Sequence, residues 1–571
     1  MGSAALGGCA RLPFIAVLAV ITGACADPEP APPAESADAR PWFSDDAAAA
    51  GLEFVNDPGP AGSYFMPQSN GNGAALFDYD QDGRLDVYLL NGAGADSKAT
   101  NRLFHQEENG IFREVTRGSG LDVAGLCTGV AVGDVNNDGW PDIVVSEFGG
   151  LRLFQNDGSG RFEDATPDSG LVNLWWGTSC GFLDFDRDGW LDLVVTNYVD
   201  LTPTVLCYTQ DGQRDFCGPK EFLGTPTLLF RNVSAGTDPP QPRFEDVSAS
   251  SGIGSLPGRG LGVLCADFDQ DGWDDIFIAN DQQPNRLWIN RQGKNFEDEA
   301  VLRGLAVNSI GAVAANMGTA WGDVDASGQP DLFVTHLDLE NHTFWKQDPA
   351  GMFLDRTAET GLVQMPRTTG FGAVLGDFDL DGDLDLAYAN GHVFRHEAVD
   401  DDRVPAFWRP YAEPNTLCEN DGAGHFSLRD SSNEAFVTQA NVGRSLCYGD
   451  VDNDGDLDLL GAPTADAVQL WRNVAPRRGH WLLVRAVDPA LKRDAYGAVV
   501  TVVAGSGQFQ RLVNPASSYQ CSNDPRVHFG LGDSAQIDSI RVRWPTGETE
   551  VFAGGQVDRQ VELRRGEGTP P

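Results

Sequence analysis

The chain has 571 residues, with 83 acidic against 40 basic side chains and a formal net charge of −43. That balance excludes nucleic-acid recognition through a basic surface, which needs clustered Lys and Arg, and a content of 41% hydrophobic and 22% charged residues excludes a wholly disordered chain. What matters next is where the surplus carboxylates sit, because a dispersed acidic surface aids solubility whereas a clustered one holds cations.

Residues 1–26 read as an export signal. Arg11 is the only charged side chain there, ahead of an apolar stretch from Leu12 to Ala24 that is too short to span a bilayer. Two processing readings stand side by side: Ala24-Cys25-Ala26 fits a small-residue cleavage site, and Thr22-Gly23-Ala24-Cys25 resembles a lipobox that would place a lipid on Cys25. No later apolar run reaches membrane length, so the expectation is an exported protein, whether periplasmic, an outer-membrane lipoprotein or secreted. Residues 27–41 carry five prolines and no apolar residue larger than Ala, which predicts an extended tether of ~45 Å at ~3.1 Å per residue.

From residue 42 onward the chain repeats. An acidic pattern, D-x-[D/N]-x-[D/S]-G-x-x-D, occurs seven times, and its positions 1, 3, 5 and 9 are occupied as follows. The first copy has Asp78, Asp80, Asp82 and Asp86, the second Asp134, Asn136, Asp138 and Asp142, and the third Asp184, Asp186, Asp188 and Asp192. The fourth has Asp267, Asp269, Asp271 and Asp275, and the fifth Asp323, Asp325, Ser327 and Asp331. The sixth has Asp377, Asp379, Asp381 and Asp385, and the seventh Asp450, Asp452, Asp454 and Asp458. A small or apolar segment such as GVAVG precedes each copy and an apolar run such as DIVVS follows it, which predicts strand, tight turn, buried strand.

Two further elements keep the same register. Phe-centred segments recur at Phe43, Phe112, Phe162, Phe244, Phe296, Phe353 and Phe426, and hairpin segments around Leu103, Leu153, Leu229, Leu287, Phe344, Leu417 and Leu470. The array opens on a Phe segment and closes on a hairpin segment, so its two ends complete one unit. A ring closed by pairing its termini explains such ends, and the expected fold is an all-β, seven-bladed β-propeller over residues 42–474.

The acidic turn differs from an EF-hand loop, which needs a bidentate Glu at position 12. Here position 12 is Leu89, Val145, Val195, Ile278, Val334, Tyr388 or Gly461, and position 9 closes the site instead. Carboxylates in this number repel one another when bare and suit Ca2+, with its six to eight oxygen ligands, better than Mg2+ or a transition metal. About five to seven structural Ca2+ ions are expected, with the turn at 323–331 the weakest.

On these motifs, as in FDYDQDGRLDVY and GDVDNDGDLDLL, residues 43–474 resemble the FG-GAP (VCBS-type) repeats of integrin α-subunit propellers. The segments Arg493-Asp494-Ala495-Tyr496-Gly497-Ala498, Asn523 to Gly532 and Val542 to Gly547 resemble the ASPIC/UnbV domain. Together they are the arrangement of cartilage acidic protein-like proteins, a resemblance that implies a propeller, calcium and an extracytoplasmic setting, and no reaction. Read from their own pattern, residues 475–565 form a small C-terminal β-sandwich, with 566–571 a tail. Arg526, His528, Arg541 and Arg543 form either a site or a solvated strand face.

Thirteen residues beyond the first Asp of each turn stand Asn91, Glu147, Asn197, Asn280, His336, Asn390 and Pro463, ~16 Å away at the opposite end of each blade. Two long insertions, at about 198–226 and 391–414, leave from the same end. The polar ring with His392 is the expected partner-binding face, against the plainer reading that these residues satisfy turn backbones. Cys207 and Cys217 bracket a short loop and predict a disulfide. Cys127, Cys180, Cys265 and Cys447 read as buried strand residues, and Cys418 and Cys521 have no assignable partner. His392 and His396 near Asp400, Asp401 and Asp402 read as a polar loop rather than a catalytic group, with no hydrolase, metalloprotease or P-loop motif beside them.

The expected function is an exported, calcium-stabilised protein that binds protein or glycan partners, without nucleic acid, and with the membrane engaged only through a lipid anchor. The alternative is an enzyme that acts on polysaccharide or tailors a secondary metabolite at the propeller mouth or domain junction. Asn232 and Asn341 begin glycosylation sequons.

Overall fold

The structure, a computed structural model, describes residues 40–93, 97–234, 240–429 and 433–571. The export signal, Cys25 and all but the end of the tether lie outside the described residues. Seven four-stranded antiparallel sheets follow one another. Their innermost strands are Ala74–Phe77, Cys127–Gly133, Gly177–Leu183, Gly260–Ala266, Thr319–Gly322, Gly370–Gly376 and Ser445–Gly449, and these open blades 1 to 7. Each inner strand packs on the next and the seventh returns to the first, so the sheets form a closed ring. Small residues in these strands reflect how tightly they converge: a Cβ on Gly129 would sit 2.1 Å from the Thr178 carbonyl oxygen, and one on Gly318 would sit 1.9 Å from that of Phe371.

Blade 7 is built from both ends of the array, as the complementary termini require. Phe43–Asp45 pairs antiparallel with Asn473–Trp471 as its outer strand. The seam is held by the buried Glu434 carboxylate, which accepts hydrogen bonds from the Trp42 and Phe43 amides at 2.5 and 3.0 Å.

The C-terminal segment forms two four-stranded sheets around one core. Trp481–Asp488 pairs with Arg493–Asp494, with Val527–Gly530 and, in parallel, with Arg559–Arg564. Val499–Ala504 pairs with Gly507–Leu512 and Gln536–Arg543, the latter extended by Thr549–Gln556. Leu482, Val484, Val500, Val502, Ile540 and Trp544 fill the space between. The expected tail is not free: Thr569 bridges Val551 in two backbone hydrogen bonds of 2.7 and 2.9 Å.

The sandwich does more than lie beside the ring. It covers the acidic-turn end and sends an arm, residues 513–526, into the central channel, where it touches all seven inner strands. Asn514 Nδ2 donates to the Cys265 carbonyl at 2.8 Å, Ser518 Oγ to that of Leu446 at 2.7 Å, and the Gln520 amide to Ser179 Oγ at 3.1 Å. Ser518 exchanges backbone hydrogen bonds with Thr319, Ser522 does so with Ala74 and Leu76, and Val130 donates to the Gln520 carbonyl. Tyr519 meets Phe371 edge-on at 5.0 Å and its hydroxyl donates to the Asn70 carbonyl at 3.2 Å. Ser518 and Gln520 adopt positive φ values of 70° and 60°, the bends that let the arm turn back within the channel.

The two insertions close the other mouth. Cys207 and Cys217 are joined, as their spacing predicts, in a hairpin pairing Cys207–Tyr208 with Arg214–Asp215. Phe216 of this hairpin stacks on Trp408 of the second insertion at 5.8 Å, and Tyr411 Oη donates to Asp215 Oδ1 at 2.6 Å. The other six cysteines of the described residues are free and buried. Among those residues no helix is long and apolar enough to cross a membrane.

Candidate functional site: acidic turns and the insertion-bearing face

The seven acidic turns share one geometry because the motif dictates it. The position-1 carboxylate accepts a hydrogen bond from the position-6 glycine amide, as Asp78 does from Gly83 at 2.8 Å and Asp450 from Gly455 at 3.0 Å. The position-9 Asp opens the second strand of its blade. One of its oxygens accepts from the amide at position 2 and the other from the last residue of the third strand, as Asp142 does from Val135 and Asn156 at 3.0 and 2.9 Å. Position 9 therefore ties turn, second strand and third strand together.

The side chains at positions 1, 3 and 9 converge: oxygens of Asp78, Asp80 and Asp86 lie within 4.8 Å of one another, as do those of Asp184, Asp186 and Asp192. Burial holds Asp86, Asp331 and Asp458 up to about 8. Burial, reinforced by neighbouring carboxylates, holds Asp142, Asp192, Asp275 and Asp385 well above the usual range. Asp80 Oδ1, Asp184 Oδ1, Asp267 Oδ1 and Asp377 Oδ1 are buried oxygens without a hydrogen-bond donor. Leaving such atoms unmatched costs ~1–3 kcal/mol each, and a set of hard oxygen donors of this kind fits Ca2+. The turn at 323–331 departs from the rest at position 5, where Ser327 replaces a carboxylate; a cation beside position 3 is shared, Lys346 on Asp325 at 2.9 Å matching Arg303 on Asp269 at 3.0 Å and Arg231 on Asp186 at 2.6 Å.

The C-terminal domain meets these turns with cations. Arg543 pairs with Asp267 at 3.1 Å, Arg478 with Asp379 at 2.9 Å, and the buried Arg526 donates to the Asp450 carbonyl and to Asn453 Oδ1 at 2.9 and 2.6 Å. His528 is buried with Nε2 2.8 Å from the Gly455 carbonyl oxygen. Of the four residues the sequence groups, only Arg541 stays exposed, so they make neither one site nor one solvated face. A cavity of about 500 Å³ remains between blades 4–6 and the domain, lined by Asp267, Asp377, Arg511, Arg526, His528 and Arg543 among others.

At the opposite end the polar ring turns inward. Asn91, Asn197, Asn280, His336 and Asn390 are buried. Asn197, Asn280 and Asn390 donate to the carbonyls of Pro226, Pro284 and Pro414 at 2.8, 3.0 and 2.8 Å, and Glu147 pairs with Arg152 at 2.9 Å. The expected contact ring is thus a set of backbone braces, as strand-end amides with unpaired carbonyls beside them require. Asn232 is also buried, donating to the Val135 carbonyl at 2.8 Å. What the same face exposes is apolar. Ile310 is 85% exposed, Leu174 and Leu339 80% and Leu223 78%, with Trp175, Tyr208 and Phe394 also showing. All lie on blade-to-blade connections or on the loops between second and third strands, which emerge at this end. Hydropathy periodicity does not flag them because they sit in irregular segments.

His392 and His396 do not face Asp400, Asp401 and Asp402. Asp401 pairs with Arg403 and Asp402 with Arg409, while the two imidazoles stack at 3.6 Å and face Asp338 and Glu413. Asp338 and Glu413 were not legible as site residues. The only signal was that Asp338 follows His336 by two positions, at the blade end that His392 also follows.

The FG-GAP-like repeat family matches residues 78–145, 134–195 and 267–334, and the ASPIC and UnbV family matches 488–570. The chain is 27% identical over 365 residues to cartilage acidic protein 1 of Mus musculus, covering 53% of this chain and 54% of that one. It is 25% identical over 381 residues to cartilage acidic protein 1 of Homo sapiens, covering 56% and 55%. The chain thus spans about half the length of the curated relatives it matches. Among solved structures it is similar to the BP39L lectin of Burkholderia pseudomallei (TM-score 0.41, 11% identity, covering 71% of this chain and 97% of that one). It is also similar to YCF48 bound to D1 peptide (TM-score 0.40, 9% identity, covering 77% and 99%).

Proposed function

We propose that this chain, an FG-GAP propeller with an ASPIC/UnbV domain and a likeness to cartilage acidic protein 1, is an exported, calcium-stabilised binding protein whose protein or glycan partner docks on the insertion-bearing face. The observation that carries the reading is the apolar side chains exposed on that face. Exposed Leu, Ile, Trp and Tyr side chains gathered on the loops of one face are what a contact surface presents. The other end supports it by exclusion, since the C-terminal domain covers the acidic turns. Calcium supplies charge neutralisation at those turns. The position-1, -3, -5 and -9 carboxylates would hold it, fastening the first strand of each blade to the second. Export accords with the signal-like N-terminus and with the Cys207–Cys217 bond.

The enzyme reading has one feature in its favour, the junction cavity with its charged lining. Its carboxylates, however, belong to the acidic turns, apart from Asp524 of the arm, and share the lining with Arg511, Arg526 and Arg543, and the channel that would admit a polymer is filled by the arm. The test measures thermal unfolding of residues 27–571 in excess calcium and in chelator, with bound metal counted by elemental analysis. About five to seven Ca2+ per chain and a large loss of Tm on chelation are expected. No bound calcium and no shift would refute the calcium role. For the face, the variant Leu174→Ser, Leu223→Ser, Leu339→Ser should keep the wild-type Tm and lose binding on a glycan and matrix-protein array. Unaltered binding by this variant would refute the docking surface.

A further inference from the structure

The second insertion holds a side-chain cluster that neither the calcium turns nor the docking surface uses. Its four members come from three separate segments. Asp338 follows the second strand of blade 5, His392 and His396 begin the insertion of blade 6, and Glu413 ends it. His396 Nε2 lies 3.2 Å from Asp338 Oδ2, and His392 Nδ1 lies 3.9 Å from the same oxygen and 3.3 Å from Glu413 Oε2. One ligand-capable atom from each of Asp338, His392 and His396 falls within 4.8 Å of the others.

Two of these separations are near those of a metal's ligands. Ligands ~2.0–2.1 Å from a tetrahedral Zn2+ stand ~3.4 Å apart; the 3.2 and 3.3 Å contacts lie close to that spacing, the 3.9 Å contact exceeds it, and the two stacked imidazoles would turn out of their parallel arrangement to aim both nitrogens at one ion. The donors are nitrogen and oxygen in equal number, the mixture that borderline divalent ions select over Ca2+ or Mg2+.

The backbone holds the ligands in place. The fully buried Arg444 donates to the Gly391 and His392 carbonyls at 2.9 and 3.1 Å, the Thr369 amide donates to Glu413 Oε2 at 3.0 Å, and the His396 amide donates to the Pro410 carbonyl at 2.9 Å. Such outer partners orient metal ligands. We propose that Asp338, His392, His396 and Glu413 bind one divalent transition ion of the Zn2+ class, which staples the second insertion to blade 5. The ion would fix the recognition loop without the help of the acidic turns at the far end.

The test titrates calcium-saturated full chain with Zn2+ and, in parallel, with Co2+. One Zn2+ per chain beyond calcium is expected, and Co2+ should show the visible absorption of a four-coordinate site with imidazole ligands. His396→Gln, at the half-exposed ligand, should weaken Zn2+ binding by more than ~100-fold, beyond the ~10–100-fold lost with an outer partner, and leave the calcium count and the metal-free Tm unchanged. Asp338→Asn serves as a second variant should the first fold poorly, and the Co2+ spectrum needs no variant. Absence of a stoichiometric Zn2+, an octahedral Co2+ spectrum, or equal binding by the variants would overturn the site and leave a hydrogen-bonded cluster.

Discussion

The channel arm makes a quantitative prediction through Tyr519. Its side chain is fully buried, meets Phe371 edge-on and shares a core cluster with Met66, Trp176, Tyr198, Leu261 and Met317, with its hydroxyl on the Asn70 carbonyl. Truncating a large aromatic in such a setting costs ~3–5 kcal/mol, and the orphaned carbonyl adds ~1 kcal/mol. Tyr519→Ala should therefore cost ~4–6 kcal/mol and Tyr519→Phe only ~1 kcal/mol. Because the arm joins the C-terminal sandwich to every inner strand, the loss falls first on the sandwich. For a domain of ~90 residues each kcal/mol moves Tm by ~4–8 °C, so its transition should drop by ~15 °C or more. Calorimetry of the calcium-loaded chain should then resolve two endotherms in Tyr519→Ala where wild type and Tyr519→Phe show one. A single Tyr519→Ala transition at the wild-type temperature would mean the arm merely occupies the channel and carries no coupling between the domains.

Other consequences are open to direct measurement. In chelator, stability should fall as pH rises from 6.5 to 8.5: the position-9 carboxylates Asp86, Asp331 and Asp458 titrate near 8 when folded and near 4 when unfolded, so the stability their protonated forms lend at low pH is lost through this window. Buried His336 and His528, lowered to about 4, act oppositely but below pH 6.5, and added calcium should flatten the profile, as urea melts across the range would show. Glu434→Ala leaves the Trp42 and Phe43 amides without their acceptor, should cost ~2–4 kcal/mol, and should expose the first outer strand to limited proteolysis before residue 46. Replacing Cys207 and Cys217 with Ser opens a short loop at ~2–3 kcal/mol of local stability, and should let a protease cut within 207–217 while the ring keeps its Tm.

The ring was legible because its signal is redundant: three elements recur in one register, and the Phe43 and Leu470 segments announce the seam by being each other's missing part. The convergence of the turn carboxylates was legible because position 9 sits in a fixed place relative to a glycine that must follow a reversal. The arm was not. Residues 513–526 contain Asn, Pro, Ser and Gly-free turns that look like any surface connection, and only the closed channel shows why their amides and hydroxyls must each find a strand carbonyl. The ring of Asn91, Asn197, Asn280 and Asn390 was found in the right place with the wrong role, since polarity at a strand end does not reveal whether a side chain faces solvent or its own loop. Asp338 and Glu413 join His392 and His396 through folding between blades, which no local spacing encodes.

The seam and the arm together set an order of assembly. Phe43 leaves the ribosome long before Asn473, so blade 7 must stay half-built until the whole array exists, a contact of very long range in sequence. The arm is made later still, and the hole it fills exists only once the circle has shut. Seven inner strands offer it seven sets of partners at fixed radius, and a circle closed with one blade too few, or with a strand borrowed from a neighbour, would offer a different bore. Made after the ring, the arm thus works as a gauge, locking only into a ring of the correct diameter.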